Sequence, residues 1–464
     1  MGGDRASAAA LRAACVRPAE TAAAWRAQGG KVVGLLGWSA PRELVTAAGL
    51  LPVRLSPDRL AGLGHGPESG ASARPDAAAG FGRELAPATA GFAAALLSGA
   101  LGWIDYLLIG RDREDYTRLF YLLRELRRSG AAPDLIPVAF FDLLRLPSRT
   151  SARYNRQRAA ELLAVIAGWA GRPVTPADLA GAVVTAEGTA HSFCGIQKLR
   201  TRPRPGITGT DALAAAIAAR VLPAGELRPL LDAVLSAGLP GAAAHEPAVR
   251  EAALAGAADA PGLAAPAARI FLAGSATDDL TAYEALEDLG LAVVGEDHEW
   301  GDDGSEYPRA TRDPLDGIVD RYQFAHGGAA RAGLRDRVER TAGRVRSAAA
   351  DGVLYLLGAH DEAAGWELPA LRERLGGGIP LVPVRLGDRL QSDRAQGHPV
   401  PGDAGPAGDG GRPELREAGR RLLAELGAAG AVPVAQRARP AAGGAAPAAG
   451  HAGAASWTAE AGRG

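Results

Sequence analysis

Cysteine is scarce in this sequence, which contains only two, Cys15 and Cys194, among 464 residues. Two thiols do not make a framework of disulfide bonds, and one copy of the chain cannot supply the four cysteines of an iron–sulfur cluster. Cys194 lies in an apolar stretch, where a buried and unreactive thiol is expected. The cysteine count therefore excludes a disulfide scaffold and a self-contained four-cysteine cluster site.

The sequence also has almost no net charge and no long apolar run. The 51 basic and 52 acidic side chains leave a formal net charge of -1, which gives no electrostatic reason to bind nucleic acid or an anionic membrane. No run of about 18 uncharged apolar residues predicts a membrane span. Residues 1–14 include Asp4, Arg5 and Arg12 and lack a compact apolar core, so we expect no secretory signal and a cytoplasmic protein.

Short apolar runs that alternate with amphipathic stretches predict an α/β fold. The predicted strands lie at 31–36, 51–55, 106–109, 135–141, 269–273, 291–294, 352–357 and 379–384. Short connections between such elements favour parallel sheets with helices on both faces. After the first strand, Ser39 is expected to cap a helix whose first turn contains Pro41. Thr175 is expected to cap a later helix, predicted over 178–190.

The strands fall into two groups, and the stretch between them is rich in alanine and leucine. We therefore predict two doubly wound domains, of the Rossmann or flavodoxin type, that face each other across a cleft. The predicted parts are an N-terminal helical extension at 1–30, α/β domains at 31–150 and 266–390, a helical intermediate region at 151–265, and a tail at 391–464. The tail is rich in Gly, Pro and Ala and predicted to be largely disordered, apart from a helix at 413–427.

Two loops that follow predicted strands are candidate binding sites. The turn at Gly274-Ser275 leaves backbone N–H groups that could face a phosphate or carboxylate, and it could equally be an ordinary helix cap. The loop at Gly37 and Ser39 leaves the same two alternatives open. Ligands of doubly wound sheets bind beyond the carboxyl ends of the strands, so both loops lie at the favoured edge.

Charged clusters follow other predicted strands. The run 111–115 is either a solvated helix cap with internal ion pairs or part of a site. His360, beside two carboxylates, could bind a metal or act in acid–base chemistry, or be structural. Residues 297–299 and 302–303 are expected to form a hydrated acidic loop. No phosphate-loop lysine motif, nucleophile elbow, zincin helix or dinucleotide fingerprint occurs.

Residues 33–55 resemble the N-terminal signature of the 2-hydroxyacyl-CoA dehydratase and benzoyl-CoA reductase subunit family. In that family a strand leads into a Pro-x-Glu-Leu helix, which begins here at Pro41, and then into an Ala-Gly turn and a Pro-Val-Arg strand. Further segments follow in the family's order, at 105–109, 118–119, 171–176, 270–275, 313–322, 351–353 and 367–380. The resemblance therefore extends over roughly 31–390.

The resemblance implies a subunit of a heterodimer whose two subunits are alike. Each usually holds a 4Fe–4S cluster through three cysteines, and an ATP-hydrolysing activator injects an electron that converts the substrate thioester into a ketyl radical. In this sequence the family's cysteine positions fall near Pro87, at Arg113 and at or beside His360, and Gly37 stands where a further cysteine is sometimes found. Arg113 has a fixed positive charge and no lone pair to give to iron, so no cluster is expected to bind this chain directly.

Three functions follow as alternatives. In the preferred one, the chain is a cluster-free partner of a cluster-bearing homologous subunit in a lyase-type complex, with the ATP-dependent activator acting through that subunit on an acyl-CoA. In the second, the chain binds a CoA thioester or another acyl ligand without catalysis. The predicted substrate-binding residues are Ser39, Arg111, Arg113, Gly274 and Ser275. In the third, Glu114 and His360 catalyse a non-radical acid–base elimination.

Overall fold

A computed structural model describes residues 2–60, 85–238, 265–301, 313–324, 333–359, 361–387 and 412–428. Within these ranges the chain forms eight β-strands and fifteen α-helices. The strands make two four-stranded sheets in which each neighbouring pair is parallel. The predicted α/β class is thus confirmed. None of the described helices is both long and apolar enough to cross a lipid bilayer.

The first sheet consists of short apolar strands in the order β2-β1-β3-β4. These strands are β1 Val32–Leu36, β2 Leu51–Leu55, β3 Tyr106–Gly110 and β4 Val138–Phe141. Every residue of β1 and β2 is buried, as expected for a parallel sheet with helices on both faces. The strand order reverses between β1 and β3, so a crevice is expected beyond their carboxyl ends.

Helices cover both faces of this sheet. The described helices in the N-terminal part of the chain are α1 Gly2–Val16, α2 Pro18–Ala27, α3 Arg42–Ala47, α4 Pro57–Leu60, α5 Pro87–Leu97 and α6 Glu114–Arg128. Of these, α1 does not cover this sheet, because its Leu11 and Cys15 pack in a cluster with Leu213 and Ile270. Val33 and Leu35 belong to one hydrophobic cluster, and Val32 and Leu36 belong to another. This alternation follows from the period of two in a strand, which directs successive side chains to opposite faces.

The start of α3 differs from the sequence-based expectation. The sequence predicts Ser39 as the cap of this helix. That prediction is wrong, because the N-cap residue is Pro41 and no side chain caps the N-terminus of α3. Ser39 instead donates its hydroxyl hydrogen bond to Asp112, at 3.1 Å. The Ser39 side chain therefore hydrogen-bonds to the distant Asp112 carboxylate and does not cap the adjacent helix.

The described elements between the two sheets are all helices. They are α7 Arg149–Ala170, α8 Pro176–Arg200, α9 Gly209–Ala218 and α10 Ala224–Ala237. The predicted cap of α8 is confirmed, since the Thr175 hydroxyl accepts from the Asp178 N–H and the Asp178 carboxylate accepts from the Thr175 N–H. This reciprocal capping box fixes where α8 begins.

Helix α8 is longer than the 178–190 segment predicted from the sequence. It continues to Arg200 because Phe193, Ile196 and Leu199, spaced three residues apart, are buried in the hydrophobic cluster that also contains Leu213 and Leu235. Tertiary burial of this stripe supplies the stabilisation that local propensity does not predict.

The second sheet repeats the topology of the first, in the order β6-β5-β7-β8. Its strands are β5 Ala268–Gly274, β6 Leu291–Glu296, β7 Gly352–Gly358 and β8 Leu381–Leu386. The described helices in this part of the chain are α11 Leu280–Glu287, α12 Pro314–Phe324, α13 Leu334–Ser347, α14 Glu362–Leu375 and α15 Pro413–Ala428. The reversal of strand order lies between β5 and β7, which gives this sheet a switch point of its own.

Helix α8 contributes to the cores of both sheets. Leu179 and Val183, in its N-terminal half, pack in the cluster that contains Val33 of β1. Ile196 and Leu199, near its C-terminus, pack in the cluster that contains residues of β5 and β6. One continuous helix therefore connects the two hydrophobic cores.

Two buried arginines attach the end of α8 to the second sheet. Arg200 donates to the Val293 carbonyl at 2.7 Å and to the Glu296 carboxylate at 3.0 Å. Arg269, on β5, donates to the Thr201 carbonyl at 2.8 Å, just beyond the helix. Arg200, Glu296 and Arg269 are each only 1% exposed, so these polar contacts lie inside the protein, where each group needs its partner.

The predicted domain boundaries stay predictions. Helix α12 belongs by sequence to the predicted domain at 266–390, yet Ile318 and Tyr322 of this helix pack in the cluster of the first sheet. The helix predicted at 413–427 is confirmed as α15. The remainder of the predicted tail at 391–464, apart from Arg412 and Ala428, lies outside the described residues.

We predict that Arg200→Met destabilises the protein by about 3–5 kcal/mol, because it leaves the buried Glu296 carboxylate without its charge partner. The matched control is Arg228→Met, which removes an exposed pair with Asp232 at 3.9 Å and should change stability by less than about 1 kcal/mol. Urea unfolding followed by circular dichroism measures both free energies. Equal effects of the two substitutions would contradict the importance of the buried pair.

Candidate functional site

The carboxyl ends of both sheets border one cavity of about 950 Å³, which we call the switch-point cavity. Gly37 follows β1 and Asp112 lies beyond β3, while Ser275 follows β5 and Ala359 lies beyond β7; all four line this cavity. These loops flank the points where the strand orders reverse, the usual ligand site of doubly wound sheets. The cavity also has the size of a small-molecule site, typically roughly 300–1,000 Å³.

The first switch point is organised by the Asp112 carboxylate. It accepts hydrogen bonds from the Ser39 backbone N–H at 2.9 Å and from the Ser39 hydroxyl at 3.1 Å, and Arg145 pairs with it at 2.7 Å. Gly37 has φ +91°, and a Cβ added there would overlap the Asp112 carboxylate. Ser39 is completely buried and is not among the residues that line the cavity.

Arg111 and Arg113 lie in different surroundings, although only one residue separates them in the sequence. Arg111 pairs with Asp142 at 2.7 Å and does not line the switch-point cavity. Arg113 lines it, with its guanidinium 3.0 Å from Asp115 and 5.5 Å from the Tyr116 ring centre. Burial alone would lower the pKa of Arg113, but Tyr116 and Asp115 raise it, so this side chain stays charged.

Glu114 also lines the switch-point cavity and lies in the first turn of α6. Its side chain is 77% exposed and lies 3.6 Å from Arg118, one helical turn further along. His360, its predicted acid–base partner, lies outside the described residues, although its neighbours Ala359 and Asp361 line the cavity. The roles predicted for Glu114 and His360 therefore stay predictions.

The second switch point has a carboxylate of its own. The Ser275 hydroxyl donates to Asp361 at 2.8 Å and accepts from the Gly358 N–H at 2.8 Å. The Ser275 N–H donates to the Leu356 carbonyl. Gly274 has φ +93°, and a Cβ there would overlap that same carbonyl. Gly274 and Ser275 both line the cavity, but the Ser275 N–H is already used within the protein.

A buried polar chain reaches this cavity from the second sheet. His298 Nε2 lies 3.0 Å from the Tyr283 hydroxyl, which lies 3.2 Å from the Glu296 carboxylate, and Glu296 pairs with Arg200. Burial alone would raise the pKa of Glu296, but the Arg200 charge and hydrogen bonds lower it. An ionised Glu296 accepts only, so the Tyr283 hydroxyl donates to Glu296 and accepts from the His298 Nε2–H.

The prediction of a hydrated acidic loop at 297–299 is wrong for its first two residues. Asp297 is 7% exposed and His298 is 1% exposed, and the Asp297 carboxylate accepts from the Thr341 hydroxyl. Residues 302–303, predicted to belong to the same loop, lie outside the described residues. One feature of the sequence could have indicated that these residues lie near a site. They directly follow an apolar strand, and ligands bind at the edge of the sheet where such strands end.

Neither cysteine lies in the switch-point cavity. Cys15 is buried in α1, where its thiol donates to the Leu11 and Ala214 carbonyls, and burial raises its pKa to about 12. Cys194 is half-buried in α8, so the prediction of a buried thiol is wrong, and its predicted lack of reactivity stays a prediction. Iron–sulfur clusters need thiolates, and the residues that line this cavity supply none.

The resemblance predicts the family's cysteine positions near Pro87, at Arg113 and at or beside His360. Pro87 is the first residue of α5, Arg113 precedes α6 as its N-cap residue, and His360 lies outside the described residues. In the described part of the chain, no three His, Cys, Asp or Glu side chains are grouped so that they could hold a metal ion. These side chains do not fit a cysteine-bound cluster.

The fold and the cavity define an α/β protein with two parallel sheets whose switch points border one site. The family model described as 2-hydroxyglutaryl-CoA dehydratase, D-component matches residues 37–396, well over half of the 464-residue chain. The chain therefore belongs to this family, which confirms the resemblance seen in its motifs. A search of curated proteins found no match.

We predict that Gly37→Ala destabilises the protein more than Gly130→Ala. Both glycines have positive φ, but a Cβ at Gly130 meets nothing within 4 Å, whereas at Gly37 it overlaps the Asp112 carboxylate. The left-handed backbone alone costs an alanine roughly 1–2 kcal/mol, and overpacking should add about 1–3 kcal/mol at Gly37 only. Urea unfolding measures the difference, and equal losses would show that the Asp112 contact is not a tight constraint.

Proposed function

We propose that this chain is a cluster-free subunit of an acyl-CoA dehydratase or reductase complex, paired with a homologous subunit that holds the iron–sulfur cluster. The observation that carries the proposal is the combination of family membership with a switch-point cavity that has no thiolate. The family is named as one component of a dehydratase, which supports a partner. The complex would work in the cytoplasm, with an ATP-dependent activator acting through the partner.

The charges of the switch-point cavity favour the acyl end of the substrate. The arginines that line it already have carboxylate partners: Arg54 with Glu299 at 3.0 Å, Arg113 with Asp115 at 3.0 Å, Arg118 with Glu114 at 3.6 Å, and Arg412 with Asp279 at 3.0 Å. A phosphate group of the substrate would have to compete with these carboxylates. An uncharged thioester and its acyl chain would not, so we infer that this end of the substrate enters the cavity.

The chain's own contribution is then to bind and orient. Paired charges and buried hydroxyls such as Ser275 give the cavity a rigid polar wall that needs little reorganisation when a ligand enters. The His298 ring is held by Tyr283 in one orientation and borders the cavity. We propose that His298 orients the acyl group, and we assign no electron-transfer step to this chain.

Ligand binding without catalysis is the alternative function. It is favoured by the fact that residues of this chain alone line a cavity of about 950 Å³, so a ligand could bind there in the absence of a partner. Binding of an acyl-CoA to the isolated chain, together with failure to form a complex with any cluster-bearing homologue, would support this alternative over the subunit role.

The test of the proposed function is the iron and acid-labile sulfide content of anaerobically purified protein. We predict no iron in the isolated chain, and stoichiometric iron and sulfide when it is co-purified with its cluster-bearing partner. Stoichiometric iron in the isolated chain would contradict the proposal.

The matched control is the double variant Cys15→Ala, Cys194→Ala, which removes every thiol of this chain. If the partner holds the whole cluster, the complex formed with this variant keeps its full iron content and its charge-transfer absorption. Loss of iron from that complex would show that this chain supplies a ligand.

A further inference from the structure

A second, smaller cavity shares Gly37 and Arg54 with the switch-point cavity. Its volume is about 200 Å³, below the roughly 300–1,000 Å³ typical of sites for drug-sized ligands. We call it the Arg42 cavity. Its apolar wall includes Trp25, Trp38, Leu50, Phe193, Leu222 and Leu227. A small molecule with an apolar body fits this space, whereas a coenzyme A nucleotide does not.

The charged residues that line the Arg42 cavity are mostly positive. They are Arg42, Arg54, Arg220, Arg321 and Glu43. The single carboxylate, Glu43, is already engaged: the Tyr322 hydroxyl donates to it at 2.7 Å, and Arg321 lies 3.4 Å away. Burial raises the pKa of Tyr322, so its hydroxyl keeps the proton that it donates. Positive side chains therefore outnumber negative ones along this wall, although Arg54 also pairs with Glu299, which lies outside it.

Arg42 lines this cavity without an ion-paired carboxylate among the described residues, and the charge that offsets its burial most is that of its neighbour Glu43. The Arg42 guanidinium donates to the Ala219 carbonyl at 2.6 Å, and in the described ranges no carboxylate lies within ion-pair distance of it. Burial lowers the pKa of Arg42, which reflects the cost of removing its charge from water. The guanidinium nevertheless stays protonated, so an anion in the cavity would supply the missing compensation.

We propose that the Arg42 cavity binds a small organic monocarboxylate with an aromatic or branched apolar body. The carboxylate pairs with Arg42, whose planar guanidinium offers parallel N–H donors, and the apolar body packs against the apolar wall of the cavity, which includes Trp25 and Trp38. Inorganic phosphate has the charge but no apolar body, and a neutral aromatic has the body but no charge. This site is separate from the acyl-thioester site of the proposed function, and it needs neither iron nor a partner subunit.

Isothermal titration calorimetry of the purified full-length chain tests the site, with benzoate as the probe and benzamide as its uncharged analogue. We expect one benzoate to bind per chain, at least about tenfold more tightly than benzamide, as the loss of one charge-assisted hydrogen-bonding pair predicts. Benzamide binding equal to benzoate binding would overturn the proposal, and so would the absence of benzoate binding.

Variants locate the site. Arg42→Met should weaken benzoate binding at least about tenfold, whereas Arg124→Met, the same change on the exposed face of α6, should leave it unchanged. Ala186→Phe, a second probe that keeps every charge, fills the cavity from α8 and should abolish binding. Benzoate binding that survives Ala186→Phe places the ligand elsewhere and overturns the proposal, even if Arg42→Met fails to fold. Iron content is unaffected in either outcome, so this test is independent of the subunit role.

Discussion

The buried ion pair between Arg200 and Glu296 is the interaction on which the arrangement of the site depends. Both side chains are 1% exposed, so each charge would be costly without the other. The pair attaches the C-terminal end of α8 to the second sheet. The N-terminal half of the same helix packs against the first sheet. The pair also keeps Glu296 ionised, which orients Tyr283 and, through it, the His298 ring at the switch-point cavity. One pair thus couples the core to the site.

The two switch points are built in the same way. In each, a glycine with φ near +90° lies at the end of the central strand: Gly37 directly follows β1, and Gly274 is the last residue of β5. A nearby serine hydroxyl donates to a carboxylate from the loop after the neighbouring strand. In the first sheet that carboxylate is Asp112, and in the second it is Asp361. These serine hydroxyls already donate to carboxylates within the protein. They are therefore held in place and have little hydrogen-bonding capacity left for a ligand. Its recognition must come from the cavity walls.

The elements that could be predicted from the sequence are those whose signals are local. The strands are continuous apolar runs, and the capping box of Thr175 with Asp178 marks the start of α8 within four residues of sequence. Ser39 was misassigned because its partner Asp112 is 73 residues away. The burial of His298 was missed because its hydrogen-bond chain ends at Arg200, 96 residues before Glu296. Polar side chains that find distant partners give no periodic signal, and they are the ones that build the candidate site.

Under the proposed function, the same separation of local and distant signals explains how the fold persists without cluster cysteines. Positions after strands carry chemistry, while the apolar runs inside the sheets carry stability. The resemblance places Arg113 at one of the family's ligand positions, and the charge of Arg113 is compensated by Asp115 and Tyr116 at the start of α6. Such a substitution leaves no buried charge unpaired, so neither sheet has to change. Under the proposed function, a subunit can therefore lose its cluster ligands and still keep the cavity that faces the substrate.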